Sequence, residues 1–312
     1  MLAQLQQQHS EDVRVVFRHF PLMSIHDKAA LAAQAAEAAG KQGKFWEMHD
    51  LLFEHQDEWS QLSVEEFQDW LSDRAAELEL DTEQFKADLN SEAIVARVNK
   101  AWEYGQSAGF PGTPMVLING NYYPGPKDYG SLEAILKVMK LQARQFTECP
   151  PVTVDPSKTY TATLQTEKGD ITIEMFPEDA PMAVNSFIFL ARHGWYDGIT
   201  FHRVIPGQIA QTGDPTGTGL GGSGYAFGDE ISPDLKFDQA GMVGMANAGP
   251  GSNGSQFFIT LGPMTNLDGS YTIFGQVISG LDVAQSLTPR DPQQSIDLPP
   301  GDKLLSVTIE ER

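Results

Sequence analysis

Phe201-His-Arg-Val-Ile-Pro-Gly-Gln-Ile-Ala-Gln-Thr-Gly-Asp214 sets two short β-prone runs, near 200–203 and 208–211, on either side of a turn. The same texture continues downstream in Met245-Ala-Asn-Ala-Gly-Pro-Gly-Ser-Asn-Gly-Ser-Gln-Phe-Phe-Ile259 and in Leu267-Asp-Gly-Ser-Tyr-Thr-Ile-Phe-Gly275. Further runs fall at 241–245, 256–260 and 271–278. Upstream, 159–166 and 169–176 read as a hairpin around Glu167-Lys-Gly169. Helices are expected over 180–193 and 281–286, and a last strand over 303–310. Many short strands with two helices predict a mainly β closed barrel for this half.

Outward from that barrel, Thr147-Glu-Cys-Pro-Pro-Val-Thr-Val-Asp-Pro-Ser157 carries three prolines and is expected as a linker. Three segments follow: 1–146, the linker 147–157, and 158–312. The first is helix-rich. A strand is expected at 13–18 from its β-branched residues. Helices are expected over 27–39, stopped by Gly40, and over 43–53, 91–104 and 131–144. Ser63-Val-Glu-Glu66 resembles a capping box, and Asp81-Thr-Glu-Gln84 a second helix start. Met115 to Asn119 and Tyr122-Tyr123 flank Gly120-Asn121 as a short hairpin.

The length suits about two domains of ~150 residues. With 41% hydrophobic and 20% charged residues, the chain can bury real cores. Its net charge of −21 divides almost evenly, −10 over 1–150 and −11 over 151–312. Both halves therefore repel phosphate backbones and anionic lipid, which argues against nucleic-acid partners. No run of ~18 apolar residues is long enough to span a bilayer. Met1-Leu-Ala-Gln-Leu-Gln-Gln-Gln-His9 has neither a basic region nor an apolar stretch, so no signal peptide is expected there. Cys149 is the only cysteine and cannot form an internal disulfide. His19, His26, His49 and His55 fit no zinc spacing, and no metal or other cofactor is expected.

Over about 158–312, the three quoted motifs resemble the cyclophilin family of peptidyl-prolyl cis/trans isomerases in order and spacing. The chemistry is demanding in one respect only. A prolyl bond turns over a barrier of ~18–20 kcal/mol because the nitrogen lone pair is delocalised. A catalyst must favour the twisted state, and only contacts stronger there than in the planar state accelerate the reaction. By resemblance, Arg203 would donate to the prolyl nitrogen from its permanently charged fork. Gln211 would bind the substrate carbonyl and help hold the arginine. Phe258 would floor the proline pocket, with Leu267 beside it and Ile209 on its wall. Ala246, Asn247 and Gln256 match the stretch along which substrate backbone lies, and Tyr271 supplies a ring to the pocket edge. Out of this context Phe258 would be plain core and Arg203 a surface ion-pair partner. His202 reads as structural, because the family transfers no proton.

Gln208, Ile209, Asn266 and Tyr271 stand where the best-known eukaryotic pattern has phenylalanine, methionine, tryptophan and histidine. Gln208 and Asn266 thin the apolar wall, so cyclosporin binding is expected to be weakened. Gly217-Thr-Gly-Leu-Gly-Gly222 fits G-x-G-x-x-G, but no helix pattern follows, and it reads as a surface loop rather than a nucleotide site. Asn253-Gly-Ser255 is a formal glycosylation sequon whose better reading is a turn.

Residues from about 13 to 144 resemble the DsbA-like branch of the thioredoxin fold, an α/β fold with a helical insertion. The match is carried by Phe17-Arg-His-Phe-Pro-Leu22 and by Gly109-Phe-Pro-Gly-Thr-Pro-Met-Val-Leu-Ile-Asn-Gly120. In that family a Thr-Pro dipeptide holds a cis proline, here Pro114. The family's first strand and Cys-x-x-Cys have no counterpart, and Leu2 to Gln7 looks like the tail of the first helix. The domain is expected to be N-terminally truncated, or else to have lost its redox function. Together the resemblances imply an isomerase acting on proline-containing unfolded or extracytoplasmic polypeptides, in a bacterium-like setting. Two alternatives stay open: a non-catalytic module binding proline peptides, and a truncated thiol–disulfide oxidoreductase with an accessory isomerase.

Overall fold

The computed structural model describes residues 1–292, 294 and 298–312. It divides into two compact units, Met1–Lys127 and Asp128–Arg312. In the first unit, helices α1 (Leu2–Gln8), α2 (Ala29–Lys41), α3 (Phe45–Glu54), α4 (Gln56–Trp59), α5 (Val64–Glu77), α6 (Thr82–Leu89) and α7 (Glu92–Ser107) follow one another. Ala35, Ala38 and Ala39 of α2 are fully buried against Met48, Phe67, Leu71 and Phe85. Small side chains on α2 let α3 and α6 approach closely. The capping box forms as expected: Glu66 N donates to Ser63 Oγ at 3.2 Å and Ser63 N to Glu66 Oε2 at 2.8 Å. Asp81 caps α6 through Gln84 N at 3.0 Å. Helix α2 runs through Gly40, and the left-handed residue after it is Gly43.

Two expectations for this unit are corrected. Residues 13–18 form no strand, because a strand exists only through a neighbour's backbone groups. Among the described residues none forms a ladder with them, and Val15 N donates to the Gln6 side chain instead. The hairpin is confined to β1 (Leu117–Ile118) and β2 (Asn121–Tyr122). Its turn residues are Asn119 and Gly120, at φ 49° and 83°, one position earlier than expected. An Asn-Gly pair suits a turn with two positive φ angles. The Thr113–Pro114 peptide is cis.

The second unit opens with α8 (Tyr129–Leu141), capped by Asp128, and a single 3-10 turn, Gln142–Arg144. The proline-rich stretch expected as a linker is held against this unit. Phe146 N donates to Ser223 O at 2.8 Å. Thr153 N donates to Asn185 Oδ1 at 2.8 Å, and Asn185 Nδ2 to Pro151 O at 3.0 Å. Then come β3 (Tyr160–Thr166), β4 (Gly169–Met175), α9 (Pro181–Arg192), β5 (Ile199–Thr200), β6 (Arg203–Ile205), β7 (Ile209–Thr212), β8 (Met242–Met245), β9 (Phe257–Thr260), β10 (Ile273–Ser279), α10 (Leu281–Gln285) and β11 (Lys303–Glu311).

These strands make one sheet in the order β5-β11-β3-β4-β10-β8-β9-β7-β6. The expected closed barrel is instead a curled half-barrel. Its end strands, β5 and β6, are near neighbours in the chain, yet no ladder joins them among the described residues. The outer edge of β6 is taken by Arg290, which exchanges two backbone hydrogen bonds with Val204. Inside the curl, Leu164, Phe187, Trp195, Tyr196, Phe257 and Phe274 are buried almost completely. Trp195 Nε1 donates to Gly213 O at 3.1 Å, so the ring is buried with its polar atom satisfied.

Candidate active site

Register places the key side chains. Arg203 on β6 lies opposite Gln211 on β7, Gln211 opposite Phe258 on β9, and Phe258 opposite Gly244 on β8. Residues directly opposite in neighbouring strands share a face, so the three expected groups form a row across the sheet. Gly244 completes it by being small. A Cβ there would lie 2.7 Å from Phe258 Cζ and 2.8 Å from Phe237 Cζ, so only glycine leaves room for that aromatic pair.

Phe258 is 3% exposed and belongs to a small apolar cluster with Phe237, Met242 and Ile273. Ile209, Ala246, Leu267 and Tyr271 pack against that cluster while remaining partly exposed. Tyr271 meets Phe258 edge-on at 5.7 Å, and Phe237 lies 5.5 Å from it. The arrangement is an apolar floor with an accessible rim. Phe237 and Met242 were not singled out from sequence. Phe237 alternates with Leu235 in Asp234-Leu-Lys-Phe-Asp238, a run too short and too closely flanked by turn residues to stand out as a site.

A polar network borders this floor. Gln211 Nε2 donates to Gln256 Oε1 at 2.9 Å. Gln256 Nε2 donates to Gly219 O at 2.9 Å and Gly221 O at 2.8 Å. Asn247 lies further along the same border, its Nδ2 3.4 Å from Ser270 O. The glycine-rich loop behind Gln256 curls around Asp214, whose carboxylate accepts from the backbone of Thr216, Gly219 and Gly221. The N–H cradle that a phosphate would need is filled by the chain's own carboxylate, and no helix follows it. Asn253 is fully buried in an isolated antiparallel bridge to Phe227 rather than in the expected turn, and its Nδ2 donates to Asp229 Oδ1 at 2.8 Å.

His202, 2% exposed, lies beneath the row. Burial, the largest effect, lowers its pKa from 6.5 to about 4. The Asp214 charge works in the opposite direction, and the Arg290 and Arg203 charges add to the lowering. The sign for stability follows. Above pH 6.5 the ring is neutral folded and unfolded, and the fold keeps its full stability. Between 6.5 and about 4 the unfolded chain takes up the proton first, so stability falls with pH. The expected loss is about 1.5 kcal/mol from pH 6.5 to about 5. Urea midpoints of wild type and His202→Gln over that range check this. An equally steep decline in the variant would assign the effect elsewhere.

Residues 161–309 match the family described as cyclophilin type peptidyl-prolyl cis-trans isomerase/CLD, and residues 2–138 match the family described as thioredoxin. Peptidyl-prolyl cis-trans isomerase A of Mycobacterium tuberculosis is 49% identical over 148 residues, spanning 43% of this chain and 81% of that protein. A peptidyl-prolyl cis-trans isomerase of Schizosaccharomyces pombe is 54% identical over 127 residues, spanning 40% of this chain and 82% of that protein. A solved cyclophilin type isomerase of Cryptosporidium parvum is 37% identical, covers 49% of this chain and 98% of its own, and gives a TM-score of 0.45. The chain belongs to the cyclophilin-type peptidyl-prolyl cis-trans isomerases and carries a thioredoxin-type domain ahead of the isomerase domain.

Proposed function

We propose that the groove over Phe258 grips the ring of a substrate proline while Arg203 donates to the prolyl nitrogen as the amide twists. The observation that carries this is the row Arg203–Gln211–Phe258, set by register on three adjacent strands. It puts a charged donor at one end of a strip whose other end is an apolar floor. Gln211 and Gln256 present amide groups along the border, suited to a substrate's backbone. Twisting localises the nitrogen lone pair, and a donor aimed there stabilises the twisted state more than the planar one. No proton is transferred, consistent with His202 being held neutral below the site.

The clients we propose are proline-containing segments of unfolded polypeptides, for which uncatalysed isomerisation takes tens of seconds. The DsbA-like resemblance of the first unit supports extracytoplasmic clients. Magnetisation-exchange NMR on an Ala-Pro tetrapeptide tests the activity. The cis/trans exchange rate should rise in proportion to protein concentration, and a rate unchanged at substoichiometric protein would refute catalysis. Exposed Gln208 and Asn266 on the rim favour a second reading, proline-peptide binding without turnover.

A further inference from the structure

The edge strand that carries Arg203 is covered by a segment with no role in the sequence motifs. Val204 N donates to Arg290 O at 2.6 Å, and Arg290 N donates to Val204 O at 2.9 Å. Arg290 also donates from Nε to His202 O at 3.2 Å and from Nη1 to Pro299 O. Upstream, Thr288 N donates to Asp302 Oδ2 at 2.5 Å and Thr288 Oγ1 to Asp302 Oδ1 at 3.2 Å. The segment is therefore pinned at Arg290 itself and two residues upstream at Thr288. In an antiparallel bridge, the residue after one partner faces the residue before the other. Asp291 is thereby brought to Arg203, and Arg203 Nε lies 3.3 Å from Asp291 Oδ1, with the side chains 27% and 13% exposed.

We propose that Asp291 is a positioning residue for isomerisation, fixing the guanidinium plane of Arg203 through its Nε so that the remaining donors are aimed before substrate binds. The inference rests on the reading of Arg203 as the donor to the prolyl nitrogen. An arginine on an edge strand has four side-chain torsions to settle, and a charge-assisted bond to a largely buried acceptor settles the last of them. Asp291 directly follows the bridged Arg290, so its backbone is fixed independently of the side chain it holds. The carboxylate also offsets part of the guanidinium's charge. A localised lone pair on a neutral nitrogen responds to a well-aimed N–H more than to net charge, so positioning outweighs that offset.

Substitutions in the full chain, read by exchange NMR across peptide concentrations, test this. Asp291→Ala should lower kcat about tenfold with KM within about twofold, because the loss falls on the twisted state. Asp291→Asn keeps a carbonyl acceptor and should stay within about threefold of wild type. In the Arg203→Ala background, Asp291→Ala should have no further effect, since it acts through that arginine. Wild-type kcat in Asp291→Ala, alongside a defective Arg203→Ala, would overturn the inference and leave the arginine's role standing. An additional tenfold loss in the double variant would also overturn it. Wild-type rates in Arg203→Ala would overturn the donor role itself, and the inference with it.

Discussion

Replacing Arg203 with alanine is expected to lower kcat/KM for a prolyl tetrapeptide by about 10²- to 10³-fold, the loss typical of removing one preorganised donor. That corresponds to about 2.7–4 kcal/mol of a barrier of ~18–20 kcal/mol. The effect should fall on kcat. In the planar ground state the prolyl nitrogen's lone pair is committed to the carbonyl, so the guanidinium gains little by facing it. The apolar floor around Phe258, Ile209, Leu267 and Tyr271 is untouched by the substitution and should keep peptide affinity within a few-fold. Arg203→Lys keeps the charge but has no Nε–H to meet Asp291 and no planar fork, so it should recover at most about a tenth of the activity. Exchange NMR at saturating and subsaturating peptide separates the two parameters. Equal rates for wild type and Arg203→Ala would leave a groove that binds proline peptides without turning them over.

What could be read in the sequence is what depends on near neighbours in the chain. The capping box at Ser63, the Asp81 cap and the alternation that puts Arg203, Gln211 and Phe258 on one face all follow from spacing of a few residues or from motif order. Residues 13–18 look like a strand by composition, but composition cannot supply the partner that a ladder needs. The closed barrel failed for a related reason. The segment that occupies the edge of β6 comes from Arg290, far along the chain in a stretch with no periodic pattern. Asp291 was invisible on the same account, for it reaches Arg203 across 88 positions. The proline-rich stretch after α8 looks like a linker because proline excludes regular structure. Irregular backbone can still be held firmly, here by Asn185, whose side chain takes one donor and one acceptor from it.

Asp214 illustrates how a residue inside a recognised motif can matter for a reason the motif does not state, and replacing it should destabilise the second unit more than any surface change. Its side chain is fully buried. Oδ1 accepts from Thr216 N and Thr216 Oγ1, both at 2.7 Å. Oδ2 accepts from Gly219 N at 2.7 Å, Gly221 N at 3.1 Å and Thr218 N at 3.2 Å. Alanine would orphan these donors together. Each unsatisfied buried donor costs about 1–3 kcal/mol, and after partial relaxation toward water we expect Asp214→Ala to cost about 3–5 kcal/mol. Asparagine should rescue little. Both oxygens are ringed by N–H and O–H donors, so either orientation of the amide turns its NH₂ against another donor. The loop held by Asp214 supplies Gly219 O and Gly221 O, which anchor Gln256, which in turn accepts from Gln211. Loss of the carboxylate should therefore also reduce kcat/KM about fivefold under conditions where the variant remains folded, by releasing the border of the groove. Urea unfolding checks the first effect as a lower midpoint at unchanged slope. Asp214→Asn within about 1 kcal/mol of wild type would mean that the loop holds its shape without the carboxylate, and the link from Asp214 to the groove would be lost with it.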